Sequence, residues 1–376
     1  MEEFLPGLLR QLARRCASLR DRLAALPADP EVRDHAIGAY QAVETIRREV
    51  EQLLADPSLG VLALLPNHLQ LYKRWSELAM LVESYPLPFV ERFADPDRRL
   101  TRLARRLTQQ VAWPHAPPLV AAFSTQYYWT LAAFDLVCTP AAETMTLLGL
   151  PDLCHELGHI LLLRDEVVLL GDFLQELISY VDAEQRRVAA QQRPREYMAL
   201  YDHLFVQWRD RWLREFVSDM VATFLVGPAF GWQHVRLCAG QSQSAFHPTL
   251  GEGAEHPADE ARLRGIVAVL AVMGQGDAGT AVADLWQHFL RVKGEPVAPD
   301  YGVCYPPTLL ESLAGRVVAG CRTLGLRGFD AAGDPADDVV ALINEAWRRF
   351  LSDPAAFAAW ESLRIDELWR ALGLPP

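Results

Sequence analysis

Apolar residues recur at spacings of three and four along most of the chain, the period of an α-helix that buries one face. In the first 110 residues the pattern is carried by sets such as Ile46, Val50, Leu53 and Leu54, and Leu71, Trp75, Leu78 and Leu81. Pro27, Pro30, Pro57, Pro66, Pro86 and Pro88 interrupt it, so this segment reads as a bundle of several helices. The pattern changes at the proline-rich joint of residues 113–118. Two runs follow, 119–129 and 131–137, in which Val, Phe, Tyr and Trp with polar interruptions suit strands of a small sheet. The helical period returns over roughly 151–163, 172–192 and 195–226. A loop rich in Gly, Ser, His and Pro spans 240–257, and helices resume from Asp259 to the C-terminus. The expectation is a mainly α protein with a small β-sheet (α+β): an N-terminal helical region over 1–112, then a domain over 113–376 that ends in a helical extension.

The 376 residues suffice for two hydrophobic cores. With 51% hydrophobic and 22% charged residues, the composition is that of a folded chain. A net charge of −12 argues against a nucleic-acid partner, which needs a positive surface. The arginines at 98, 99, 102, 105 and 106 read as a solvated helix face without assigned function. The first residues are acidic where a secretory peptide is basic, and no run of 18 apolar residues occurs. A cytoplasmic protein with no membrane association is expected. The six cysteines lack CxxC spacing, which suggests neither a disulfide framework nor a thiolate zinc site, and they are expected to be reduced and mostly buried.

One segment carries chemistry. Residues 150–161 contain His155-Glu156-Leu157-Gly158-His159, the H-E-x-x-H pattern. Pro151 suits a first helical turn, and Leu153, Leu157, Ile160 and Leu161 form an apolar stripe that would bury the opposite face. Residues four apart stack along a helix, so His155 and His159 can converge on one Zn2+, while Glu156, about 100° round the helix, is placed to act as general base on a metal-activated water. Two histidines and a glutamate in so apolar a setting would be costly to bury without metal or partners.

Catalytic zinc takes three protein ligands. The pattern H-E-x-x-H-x-x-G-x-x-H would need Gly at 162 and His at 165; the chain has Leu162 and Asp165, which makes Asp165 a second-ranked ligand. Glu215 is the stronger candidate. It stands four residues before Asp219 on one helical face, among Trp208, Trp212, Phe216 and Phe224, so that Glu215 can ligate while Asp219 accepts an N–H from a ligating histidine.

The combination of HELGH with Glu215, Ser218 and Asp219 resembles the gluzincins, in particular the thermolysin-type E-x-x-S-D helix, with a longer segment between the two motifs. That resemblance implies a zincin-like helical core and a small sheet whose edge strand binds substrate; residues 134–140 are the edge-strand candidate. His256-Pro257 followed by Arg262 is similar to the H-P-x-x-x-x-R element of the CAAX prenyl protease and heat-shock membrane protease group. It implies a catalytic role for His256 and substrate binding by Arg262, near a developing oxyanion. His256 can equally cap the helix that starts near Asp259. Tyr301 and Tyr305 are further oxyanion donors to consider. The function expected is that of a zinc metallopeptidase acting on peptide or protein substrates, the alternative being a latent, zinc-stabilised binding or regulatory protein, with the N-terminal helices offering a protein-partner surface.

Overall fold

The computed structural model describes residues 4–375 apart from 27–28, 125–126, 192–194, 242–243, 247–255 and 332. The protein is 77% helical, with one small three-stranded mixed sheet. Most of the loop expected at 240–257 lies outside the described residues.

Residues up to Thr101, with Leu119–Ala121 and Phe134–Leu136, form one compact unit; Arg102–Pro118, Ala122–Ala133 and Val137 onward form a second. The proline-rich joint at 113–118 thus falls inside the second unit. In the first unit, α1 (Phe4–Ala25) and α2 (Arg33–Ala55) are long amphipathic helices. Leu5, Leu9, Leu12, Cys16 and Leu19 of α1 share a core with Ala39, Val43, Ile46 and Val50 of α2, the three-and-four spacing that keeps one face buried. From α3 (Leu65–Ser84) Trp75, Ala79 and Val82 complete that core, and α4 (Pro86–Arg92) adds Leu87. Leu71, counted above in the apolar stripe, is instead exposed. After α5 (Asp95–Gln110) come β1 (Leu119–Ala121), β2 (Trp129–Leu131) and β3 (Leu136–Cys138), in the order β1-β3-β2.

The second unit is built on two helices buried on nearly every side, α6 (Pro151–Leu170) and α9 (Leu213–Val226). Between them run α7 (Phe173–Ala190) and α8 (Arg195–Gln207); α10 (Pro228–Ala239), α11 (Asp259–Val272), α12 (Gly276–Lys293), α13 (Tyr301–Cys304), α14 (Pro307–Thr323), α15 (Val339–Ser352) and α16 (Pro354–Ala371) follow. The sequence suggests an amphipathic α6, but burial from Pro151 through Leu162 is all-round, broken only by a half-buried His159. No helix among the described residues is long and apolar enough to cross a membrane. All six cysteines are buried and unpaired with one another. Two of the clustered arginines serve the fold of this unit: Arg102 donates to the carbonyls of Leu372 and Gly373, and Arg106 to that of Asp337.

Candidate metal centre

Pro151 occupies the first turn of α6, where its missing N–H costs nothing. One turn on, His155 and His159 lie on the same side of the helix with their Nε2 atoms 3.1 Å apart. α9 begins after a widened π-helical turn, Trp208–Trp212, where Trp208 stacks on Phe216 (centroids 4.9 Å apart) and Trp212 packs at a tilt against Tyr305 (4.7 Å). This aromatic wedge anchors the helix just before Glu215. Glu215 Oε2 lies 3.6 Å from His155 Nε2, and its Oε1 lies 3.6 Å from His159 Nε2. Bonds of about 2.0–2.1 Å to a tetrahedral zinc place the donors about 3.3 Å apart. The 3.1 Å between the two nitrogens and 3.6 Å from each nitrogen to a different Glu215 oxygen bracket that value, and one donor atom from each of the three lies within 4.8 Å of the other two, so the residues fit a zinc ion held by two imidazoles and a carboxylate.

The surroundings orient these groups. Asp219, one turn after Glu215, accepts from His155 Nδ1 at 2.8 Å and is gripped by both Nε and an Nη of Arg262 at 2.7 Å. Phe230 of α10 lies parallel to the His155 ring, with centroids 6.0 Å apart. Gly158 explains why α6 and α9 can approach closely enough: a Cβ there would stand 2.5 Å from the Cα of Ser218 and 2.9 Å from its carbonyl oxygen.

Burial opposes a charge on His155, but hydrogen bonds to Asp219 and Glu215 outweigh it and raise its pKa to about 10. Burial, with the neighbouring His155, pushes His159 down to about 3. For Glu215 burial is again outweighed, here by hydrogen bonds from His155 and His256, and its carboxyl sits well below the usual range. The same opposition holds for Asp219, where Arg262 is the main stabilising charge. The Glu215 and Asp219 carboxylates thus favour positive charge beside them, which Arg262 and a proton on His155 supply and a divalent ion would also supply.

The three groups open on a cleft of about 700 Å³, also lined by Glu156. Burial is the main cause that lifts the Glu156 carboxyl to about 8. Trp129 and Thr130 of β2 form part of the cleft wall. β2 is an edge strand, whereas β3, within the segment expected to be the edge, is the central strand. Strand order depends on pairings between segments, which local composition does not record.

Other expectations are corrected too. Asp165 leaves helical geometry (φ −125°, ψ 28°) and pairs with His115 Nε2 at 2.5 Å, and it is not part of the cluster of His155, His159 and Glu215. Tyr301 is buried against Phe246 and Tyr305, while the Tyr305 hydroxyl accepts from the Ala258 amide; neither lines the cleft. His256 does not cap α11, whose N-cap residue is Ala258; its Nδ1 lies 2.9 Å from Glu215 Oε2. Arg262 lines the cleft, as a substrate-binding residue would, and its Nε and Nη2 also hold Asp219.

Two cleft residues, Asp152 and Tyr127, and a buried neighbour, Gln233, escape the sequence reading. Asp152 is buried and accepts from the Tyr127 hydroxyl at 2.7 Å and from the Gln233 amide, and burial lifts its carboxyl to about 6. The one local signal was its position four residues before Glu156, on the same helical face. Tyr127 and Gln233 join through long-range contacts that no motif announces. No protein-family model, no curated protein and no solved structure matches the chain.

Proposed function

We propose that this protein is a zinc-dependent hydrolase, a peptidase with a gluzincin-like zincin core. The observation that carries the reading is the convergence of His155, His159 and Glu215 from two buried helices, with a glutamate, Glu156, on the same cleft. A bound zinc supplies Lewis-acid polarisation of a substrate carbonyl and lowers the pKa of water toward about 7. His155, His159 and Glu215 would hold the ion, and Asp219 with Arg262 fixes the His155 ring so that Nε2 is turned toward Glu215. Glu156 takes the proton as the carbonyl is attacked and hands it to the leaving amine; a carboxyl poised near neutral pH by burial suits both transfers. The β2 edge beside the cleft offers backbone groups to an extended peptide.

The decisive comparison is wild type against Glu156→Gln, with zinc content and hydrolysis of a peptide library both measured. The variant is expected to keep its zinc and to lose hydrolysis by about 10²–10⁴-fold, the usual contribution of a general base. Equal hydrolysis by the two proteins would remove this mechanism.

A further inference from the structure

A second cluster of metal-ligating side chains stands outside the HELGH centre. His234 and Cys238 lie four apart on α10, so their side chains share a face, and Asp259 meets them from the first turn of α11. One donor atom from each lies within 4.8 Å of the other two. His234 Nε2 donates to the Asp259 main-chain oxygen at 2.9 Å, a bond the ring would exchange for a bound ion, and stands 3.6 Å from Cys238 Sγ, close to an N···S separation across a tetrahedral ion. All three residues are buried, with relative exposures of 2%, 2% and 4%. Asp259 Oδ2 is enclosed and has no hydrogen-bond partner among the described residues. A buried carboxylate oxygen left so is costly, and a cation bound there would remove the cost.

We propose that His234, Cys238 and Asp259 form a second metal site, selective for a borderline divalent cation of the Zn2+ or Co2+ kind. Thiolate and imidazole donors disfavour Mg2+ and Ca2+, which require oxygen ligands. The site ties the C-terminal half of α10 to the first turn of α11. Arg262 follows Asp259 by three residues on α11, hence the bound ion keeps the guanidinium in register with Asp219. Cys238 shows no CxxC partner in the sequence because its co-ligands are a histidine one turn away and an aspartate 21 residues on.

The full chain, stripped of metal by a chelator, is titrated with Co2+ alone and followed by optical absorption. Wild type is expected to bind two equivalents and to develop a thiolate-to-cobalt charge-transfer band in the near ultraviolet. The His155→Ala/His159→Ala double variant keeps the band and one equivalent, which separates this site from the HELGH centre. Cys238→Ala loses the band and one equivalent. Asp259→Asn, nearly isosteric and so safer for folding, weakens the band-forming step by at least about tenfold. Wild type without the band, a band that survives Cys238→Ala, or unchanged affinity in Asp259→Asn would each overturn the proposal.

Discussion

Arg262 and Asp219 form a two-pronged pair, with Nε 2.7 Å from Oδ2 and Nη2 2.7 Å from Oδ1. Because Oδ1 also receives His155 Nδ1, the guanidinium, carboxylate and imidazole form one chain of charge-assisted hydrogen bonds that fixes the ring aimed at the centre. Lysine keeps the charge of Arg262 but cannot make the planar fork. Arg262→Lys is therefore expected to lower zinc affinity by about 10–100-fold, the usual effect of removing such support, as measured by competition with a chromophoric chelator. Wild-type affinity in the variant would show that Arg262 does not position the ligand.

The glycine of HELGH is a packing residue. A methyl group at 158 would meet the Ser218 backbone, which cannot swing aside as a side chain can, so α6 and α9 must part. Gly158→Ala is expected to destabilise the fold by about 1–3 kcal/mol or more despite alanine's better helix propensity. It should weaken zinc binding as well, because the same separation draws Glu215 from the two histidines. Denaturant unfolding with and without zinc measures both effects; a variant as stable as wild type would show that the helices have room to spare.

How far the sequence could be read follows from the range of each contact. The spacing of His155 and His159, and that of Glu215 and Asp219, are local facts of one helix each; the two histidines and Glu215 line the cleft, while Asp219 lies buried against His155 Nδ1. Convergence of the two helices depends on Gly158 against Ser218, a contact over 60 residues of chain that no motif encodes. Arg262 stood out in the sequence, but its partner lies 43 residues away, and without that partner it reads as a substrate contact. A small sheet was legible, but not that the two expected runs form three three-residue strands, with β2 across the break between them, nor their order, since β3 gains its central place only from both neighbours. Asp165 shows the reverse case, where a plausible ligand is drawn off by His115, 50 residues earlier.

On the proposed function, zinc would compete with a proton for His155. Its pKa near 10 means that at neutral pH the ring carries a proton, whereas His159, near 3, carries none. A metal ligand must be neutral, so binding releases one proton from His155. Apparent zinc affinity is expected to rise close to tenfold per pH unit between about pH 6 and 8, with about one proton released per ion when calorimetric heats are compared across buffers of different ionisation enthalpy. A pH-independent affinity would contradict the protonated His155.

His35 in α2 gives the first unit its own dependence on acid. The ring is half-buried, meets Phe89 edge-on at 6.0 Å, and encloses Nε2 without a partner among the described residues. Burial lowers its pKa from 6.5 to about 4. Between those values the unfolded chain binds a proton that the folded chain refuses, so stability present above pH 6.5 is lost as pH falls toward 4. The full shift corresponds to about 3 kcal/mol, reduced to about 2 kcal/mol because the ring is partly exposed to solvent. His35→Leu keeps the apolar contact and removes the proton site. Its stability relative to wild type should therefore improve by about 2 kcal/mol between about pH 7 and pH 4, as read from urea unfolding at each pH. The comparison within one pH series isolates this residue, because every other carboxylate and histidine titrates in both proteins. A constant difference across the series would mean that His35 takes up its proton in the folded state as readily as in the unfolded chain.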